Sequence, residues 1–408
     1  MPKKILFVIL DGIADDIEKT PLMLANKPNL DMLTKNGFSG LIENREGNHP
    51  DSGISNFVLL GYPKEEYPGR GYLEALGIDL KITPGSVYVR ANFATVKELM
   101  EDKFKTGTYK PELIVVDRRV GRDSSGLFEM SKTIKEFFLD GVRIDFYKSL
   151  AHRGVLAINS VGISPDVSDT DPGIEGKEVL DVRPLRDDDK AFKTAAALNK
   201  FSKEVYRILK DHPSNKYRKV PANYILLRAA SCYQYVKSFK DRFGFKGACV
   251  AASPVIKGIS KAMEIHVENV PGATADLKTD LRAKVLKALD LLNNYDFVIL
   301  HILGCDITSH DKNPRLGSLF IEKIDREVFR RILEYADFDK TLLVVCSDHP
   351  TSSKTGEHIQ GFLPFLFYTN GIESNKVEKL DEKSCKEGPV INIEDFMEKV
   401  LSLVKIKV

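Results

Sequence analysis

Three apolar runs in this 408-residue chain are each followed within a few residues by an aspartate, and that coincidence limits the fold more than any other feature. Ile5-Leu-Phe-Val-Ile-Leu10 leads into Asp11, Phe297–Leu303 is followed by Asp306, and Leu342–Cys346 is followed by Asp348. A run that is apolar almost throughout, rather than at every second position, belongs to a strand covered on both faces, as in a parallel sheet. Helical patterns separate such runs at Asn29–Asn36, Ile54–Leu60, Pro254–Met263, Leu277–Leu292, Leu316–Tyr335 and Ile393–Leu403, with further strands at Gly247–Ala252 and Pro364–Tyr368. The alternation predicts an α/β protein with a doubly wound, mostly parallel sheet. In such sheets functional groups gather beyond the carboxyl ends of the strands, which is where the three acids stand.

The stretch from Pro84 to Phe245 reads differently. It carries strands at Val87–Phe93 and Leu113–Val116, a polar loop at Ser164–Pro172 and a long helix from Asp188 to Leu209, but no cluster of metal-ligand type. The expected organisation is a discontinuous catalytic domain, 1–83 with 246–408, and an inserted α/β domain, 84–245. A net charge of +2 gives no reason to expect nucleic acid or a membrane as partner. No run approaches the roughly 20 apolar residues that span a bilayer. Ile5–Leu10 is too short for the apolar core of a signal peptide. Five scattered cysteines without a CxxC suit a reduced, cytoplasmic protein. The oligomeric state stays open.

The chemistry lies in the spacing of acids and histidines. Asp306 and His310, four apart, share a face on one turn of helix. Asp348 and His349, adjacent at a strand end, can reach one ion, and His358 follows in a short glycine-containing loop. Each of these alone is ordinary for a protein surface. Together with Asp11 and a hydroxyl they make the donor set of a two-metal site for phosphoryl transfer. Oxygen-rich ligation with histidine suits Mn²⁺, with Zn²⁺, Co²⁺ or Mg²⁺ as alternatives. Ser52 opens an apolar helical run, so it is either a plain N-cap or a nucleophile with backbone N–H groups facing an incoming phosphate. Ser55 is a rival position. The arginines of Asp117-Arg-Arg-Val-Gly-Arg122 have planar forks that suit carboxylate and phosphate, though a solvated basic patch would read alike.

Several segments then resemble one family. Ile9-Leu-Asp-Gly12, Thr20-Pro-Leu, Pro28-Asn-Leu-Asp31, Leu60-Gly-Tyr62, Gly69-Arg-Gly-Tyr-Leu-Glu-Ala-Leu-Gly77, Arg90-Ala-Asn-Phe-Ala-Thr95 and Asp117–Arg122 are similar to the archaeal-type cofactor-independent (2,3-bisphosphoglycerate-independent) phosphoglycerate mutases of the alkaline phosphatase superfamily. His152-Arg153, Asp169-Thr-Asp-Pro172, Pro271-Gly-Ala-Thr274 and the two C-terminal acid–histidine motifs extend the resemblance along the chain. It implies an alkaline-phosphatase-like metal domain with an inserted transferase domain, and interconversion of 3-phosphoglycerate and 2-phosphoglycerate in glycolysis through a phosphoserine. Carried over residue by residue, one metal takes Asp11, Ser52, Asp348 and His349, and the other Asp306, His310 and His358. The ungapped spacing to Leu60-Gly-Tyr62 selects Ser52 over Ser55. Asp117, Arg118, Arg119, Arg122, His152, Arg153 and Arg228 fall in substrate-binding segments, and Lys257 matches the active-site lysine. A metal-dependent phosphatase, another phosphomutase, or a catalytically weak metal- and ligand-binding relative are the alternatives. The chain departs from the usual pattern twice. Gly-Ser-Asp at the nucleophile is here Asp51-Ser52-Gly53, and Gly-Asp-His-Ser-Thr-Pro is Ser347-Asp-His-Pro-Thr-Ser352.

Overall fold

The computed structural model describes residues 1–44, 50–99 and 112–404. The chain divides into two compact units, Met1–Tyr67 with Val236–Val408, and Pro68–Tyr235.

The first unit is built on an eight-stranded sheet in the order His266–Glu268, Gly247–Val250, Phe297–Ile302, Lys4–Leu10, Thr341–Cys346, Gly361–Tyr368, Phe38–Asn44, Val390–Asn392. Among the described residues only Gly361–Tyr368 runs antiparallel to its neighbours. The first strand therefore lies in the middle, parallel to Phe297–Ile302 on one side and Thr341–Cys346 on the other. Its residues sort by alternation. Leu6, Val8 and Leu10 join a core with residues of helices Pro28–Lys35, Leu281–Leu291 and Pro314–Ile324. Phe7 meets the rings of Phe297 at 5.3 Å and Phe396 at 6.3 Å. Burial on both faces is why these strands read as continuous apolar runs. The expected doubly wound, mostly parallel sheet is present. The expected helix Leu316–Tyr335 is Pro314–Ile324 and Arg330–Tyr335 joined by a π turn, Asp325–Phe329. There the buried Asp325 carboxylate accepts from Leu30 N at 2.8 Å and Asn29 Nδ2 at 2.7 Å, anchoring the start of Pro28–Lys35.

The second unit is an antiparallel sheet, ordered Glu112–Asp117, Val87–Leu99, Arg153–Asn159, Val142–Lys148, Glu136–Leu139, with Tyr224–Cys232 also paired to Val87–Leu99. Helix Asp189–Leu209 covers it with Ala195, Leu198, Phe201, Val205 and Leu209. Its N-cap Asp188 accepts from Lys190 N and Ala191 N.

Both limits of the inserted segment lie N-terminal to the expected 84 and 245. Helix Arg70–Gly77 belongs to the second unit because Gly71 lies directly on its strands: a Cβ there would sit 2.1 Å from Tyr88 O and 2.7 Å from Ala229 O. Phe239, on helix Phe239–Phe243, packs its ring 4.6 Å from Phe297 and so belongs to the first.

Candidate metal centre and arginine cluster

The strand-end acids of the first unit converge. Asp11 N bonds to Ile302 O and Asp306 N to Asp11 O, both at 3.0 Å, so the first strand and helix Gly304–His310 meet at the sheet's carboxyl edge. Gly12 makes that approach possible with φ +62°, since a Cβ there would lie 2.7 Å from Asp306 Cβ. Among the described residues two groups bring candidate ligand atoms within 4.8 Å of one another: Asp306 with His310 and His358, and Asp11 with Asp348 and His349.

In the first group His310 Nε2 and His358 Nε2 each lie 3.4 Å from Asp306 Oδ1 and 3.2 Å from each other. A carbonyl only accepts, so His310 Nδ1 donates to Gly356 O at 2.6 Å and His358 Nδ1 donates to Pro50 O at 2.7 Å. Both rings are thereby held with Nε2 inward. Thr351 Oγ1 donates to Asp306 Oδ1 at 3.0 Å. Burial opposes ionisation of Asp306, yet His310 and then His358 hold its carboxyl well below the usual range.

The second group is more deeply buried. Asp348 and His349 are wholly inaccessible. Asp348 Oδ1 accepts from Gly12 N at 3.3 Å and Oδ2 from Asn56 Nδ2 at 2.7 Å. Burial, then the charge of Asp306, pushes Asp348 up to about 7. His349 Nδ1 contacts Thr351 Oγ1 at 3.2 Å, while its Nε2 lies 3.3 Å from Asp348 Oδ2 and 3.5 Å from Asp11 Oδ1 without forming a hydrogen bond. Burial, then His358, lowers the His349 ring to about 3. The rings of His349 and His358 stack at 3.8 Å, so the two groups touch.

Ser52 is the first residue of helix Ser52–Leu59, and it is not the cap. Asp51 caps, accepting from Gly53 N at 2.8 Å and Ile54 N at 3.3 Å. The acid that stands before the serine rather than after it therefore relieves Ser52 Oγ of the capping role. Gly53 explains the other half of the exchange: a Cβ there would lie 2.3 Å from Tyr67 Oη. Asn56 Nδ2 bonds both Ser52 O and Asp348 Oδ2 at 2.7 Å, clipping the helix start to the second acid group. Ser55 is buried and its Oγ accepts from Asn44 Nδ2 at 3.1 Å, while that same amide reaches Asp348 O at 2.8 Å. Lys257, on helix Pro254–Ala262, donates to Asn269 Oδ1 at 2.7 Å.

The second unit gathers cations. Arg118 forms a two-pronged pair with the buried Asp171, Nε to Oδ1 at 2.9 Å and Nη2 to Oδ2 at 2.8 Å. Arg228 lies 3.6 Å from the same carboxylate and 3.8 Å from Asp169. Asp117 accepts from Arg119 N and Gly121 N, shaping the turn that carries Arg119 and Arg122. Burial, then the charges of Arg153, Arg90, Arg119 and Arg122, keeps His152 well below the usual imidazole range.

Several residues were not singled out from sequence. Arg70 and Arg90 flank the buried Glu74, Arg70 Nε at 2.9 Å and Arg90 Nε at 3.4 Å from Oε1. Asn44 and Asn56 reach Asp348 only through the tertiary fold. His301, buried in Phe297–Ile302, puts Nε2 3.0 Å from Asp11 Oδ2. Its one signal in sequence is that it interrupts an otherwise apolar run.

The family described as 2,3-bisphosphoglycerate-independent phosphoglycerate mutase matches residues 34–215. A protein of that name from Methanopyrus kandleri is 38% identical over 401 residues, covering 95% of this chain and 93% of its own. One from Archaeoglobus fulgidus is 37% identical over 414 residues, 98% of each chain. Among solved structures, the cofactor-independent phosphoglycerate mutase of Thermoplasma acidophilum matches with a TM-score of 0.63 at 31% identity over 99% of this chain and 100% of that one. A Pyrococcus horikoshii protein matches at 0.78 and 26% identity over the whole of both. No helix among the described residues is long and apolar enough to cross a membrane. With more than a third of its residues shared with named relatives across nearly its whole length, the chain belongs to the 2,3-bisphosphoglycerate-independent phosphoglycerate mutases, a family of isomerases.

Proposed function

We propose that the chain interconverts 3-phosphoglycerate and 2-phosphoglycerate, a glycolytic and gluconeogenic step, through a phosphoserine on Ser52 and without 2,3-bisphosphoglycerate. The observation that carries this reading is the pair of acid–histidine groups tied to the start of the Ser52 helix, one through His358 to Pro50 O and the other through Asp348 to Asn56. Their dimensions fit cations. Donors about 2.1 Å from one ion lie about 3.0 to 3.4 Å apart, and the three atoms of Asp306, His310 and His358 are separated by 3.2 to 3.4 Å. The buried His349 Nε2 has no hydrogen bond, and burial, then the charge of Asp306, raises the Asp348 carboxyl; a cation answers both.

In this reading Asp11, Ser52, Asp348 and His349 hold one cation and Asp306, His310 and His358 the other, Mn²⁺ in each. When bound, such ions favour the ionised hydroxyl of Ser52 and offset charge on the phosphoryl oxygens. Ser52 Oγ attacks phosphorus, the bond to the glycerate oxygen breaks, and phosphoserine and glycerate result. The inserted unit is the substrate-binding part: Arg119, Arg122, Arg153 and Arg228 hold glycerate by its carboxylate, with Asp117, Arg118 and His152 shaping their surroundings and Lys257 adding positive charge to the phosphoryl site. The other hydroxyl of glycerate then attacks the phosphoserine and Ser52 is released.

The test follows 2-phosphoglycerate and inorganic phosphate in parallel after 3-phosphoglycerate is added to demetallated protein, with and without Mn²⁺. Isomer formation that depends on Mn²⁺, with label on Ser52 by mass spectrometry, is expected. Phosphate alone would make the chain a phosphatase, and no phosphoenzyme would make it a binding relative.

A further inference from the structure

A buried histidine belongs in an apolar strand only if its ring nitrogens have work to do, because an unpaired polar atom in a core costs on the order of 1 to 3 kcal/mol. His301 occupies such a strand. It faces Ile9 in the register between Phe297–Ile302 and Lys4–Leu10, and it is 1% exposed. Its neighbours Val298, Ile299, Leu300 and Ile302 are all fully buried. The strand itself is pinned from behind, since Lys284 Nζ, also buried, donates to His301 O at 2.6 Å. His301 Nε2 lies 3.0 Å from Asp11 Oδ2, yet it makes no aligned hydrogen bond there.

The carboxylate of Asp11 thus stands between two buried imidazoles. Its Oδ1 faces His349 Nε2 at 3.5 Å, inside the group with Asp348. Its Oδ2 faces His301, which is not part of that group. One oxygen looks toward the candidate ion position and the other toward a ring behind it.

We propose that His301 is a positioning residue for Asp11: once a cation draws on Oδ1, the 3.0 Å contact between Nε2–H and Oδ2 aligns into a hydrogen bond, fixes the plane of the carboxylate, and leaves Oδ1 to the cation. This rests on the metal reading given above. The chemistry is that of an outer donor on a ligating carboxylate, which orients the ligand and whose loss weakens metal affinity by about 10- to 100-fold. Asp348 is held by Gly12 N and Asn56, and Asp306 by Thr351.

The experiment titrates Mn²⁺ calorimetrically into demetallated full-length protein carrying either His301→Gln, which keeps an amide N–H near the position of Nε2, or His301→Leu, which keeps volume and removes the donor. Thermal melts of the demetallated proteins check folding. The expected result is Mn²⁺ affinity within about threefold of the parent for the glutamine variant and about 10- to 100-fold weaker for the leucine variant, at one site only. If both variants bind as the parent does, His301 has no such role. If both lose affinity equally, the donor is not what matters and the proposal is equally overturned. A parent that takes up no Mn²⁺ overturns the metal reading as a whole, which a matched parent and variants do not. Should the leucine variant fail to fold, the ¹⁵N spectrum of histidine-labelled parent decides: His301 must carry its proton on Nε2, and a proton on Nδ1 alone sinks the idea.

Discussion

In the first unit the acids and histidines face one another while their outward atoms are tied to carbonyls, amides and hydroxyls; in the second, several arginines face carboxylates of their own unit. His310 and His358 spend Nδ1 on Gly356 O and Pro50 O and keep Nε2 inward. Arg118, by contrast, spends Nε and Nη2 on Asp171. Satisfying the back of a side chain while its working atom stays available prepares a site, whereas pairing the working atoms themselves builds a scaffold. Arginines that look equivalent along the sequence are therefore unequal in the fold.

The sharpest way to break this contrast is at the serines. Ser52→Ala should lower isomerisation by more than about 10⁴-fold, as loss of a nucleophile does, and chelation should do the same reversibly, with Mn²⁺ restoring the rate. Ser55→Ala should instead lose a buried hydrogen bond to Asn44, about 1 kcal/mol by denaturant melts, with activity largely kept. Phosphate found on Ser55 would reverse the assignment.

Next in size is the difference between two arginines. Arg118→Ala removes the two-pronged partner of the buried Asp171, leaving it Gly173 N at 2.9 Å and Arg228 at 3.6 Å, and should destabilise the protein by about 2 kcal/mol. Arg228, more exposed and 3.6 Å from the same carboxylate, should matter less to stability and more to the balance of products. For Arg228→Ala, isomerisation should fall further than phosphate release, because glycerate escapes before it is rephosphorylated. The Arg118 deficit also has a sign in pH. Burial raises the carboxyl of Asp171, but the Arg118 bond and charge outweigh it and leave it below its ordinary value. The pair's contribution is thus complete at neutral pH and lost as pH falls through that depressed value. Without Arg118 burial dominates, so the gap between variant and parent should narrow as pH drops from 7 toward about 4. A gap that stays constant in urea melts across that range would mean Asp171 is paired some other way.

The smallest effect concerns the inverted acid at the nucleophile. Gly53→Ala should cost about 1 to 2 kcal/mol by overpacking, because its Cβ would meet Tyr67 Oη at 2.3 Å, and Tyr67→Phe should recover part of that loss. If Gly53→Ala is neutral, the close ring contact does not explain the glycine.

The grouping of acids and histidines in the first unit was partly legible because its candidate ligands are local in sequence. Asp306 and His310 are one helical turn apart, Asp348 and His349 are adjacent, and strand-end placement follows from apolar runs in an α/β sheet. The supports were not legible. Asn44, Asn56 and His301 act across 290 residues or more through Asp348 and Asp11, and no spacing rule reaches that far. His301 sat in plain view as the polar member of an apolar strand, but a strand-wide pattern reads such a residue as noise. The unit limits lie N-terminal to the expected ones for a packing reason, since Gly71 against Tyr88 O and Glu74 beside Arg90 tie the helix Arg70–Gly77 to the second sheet. The pairing of Arg118 depended on where Asp171 came to rest, and composition carries no information about that.

One ring has obligations in three directions. His358 faces Asp306 through Nε2, lies flat on His349, and holds Pro50 O through Nδ1, two residues before Ser52. Any ligand that draws this imidazole toward Asp306 tugs on a residue of the neighbouring group and on the strand of backbone leading to the serine. Occupancy of the two positions is then a shared state rather than two separate ones, and by reciprocity each must report on the other. On the proposed metal reading, the protein would respond to two ions as a latch with two keys, turning over only when both are in place.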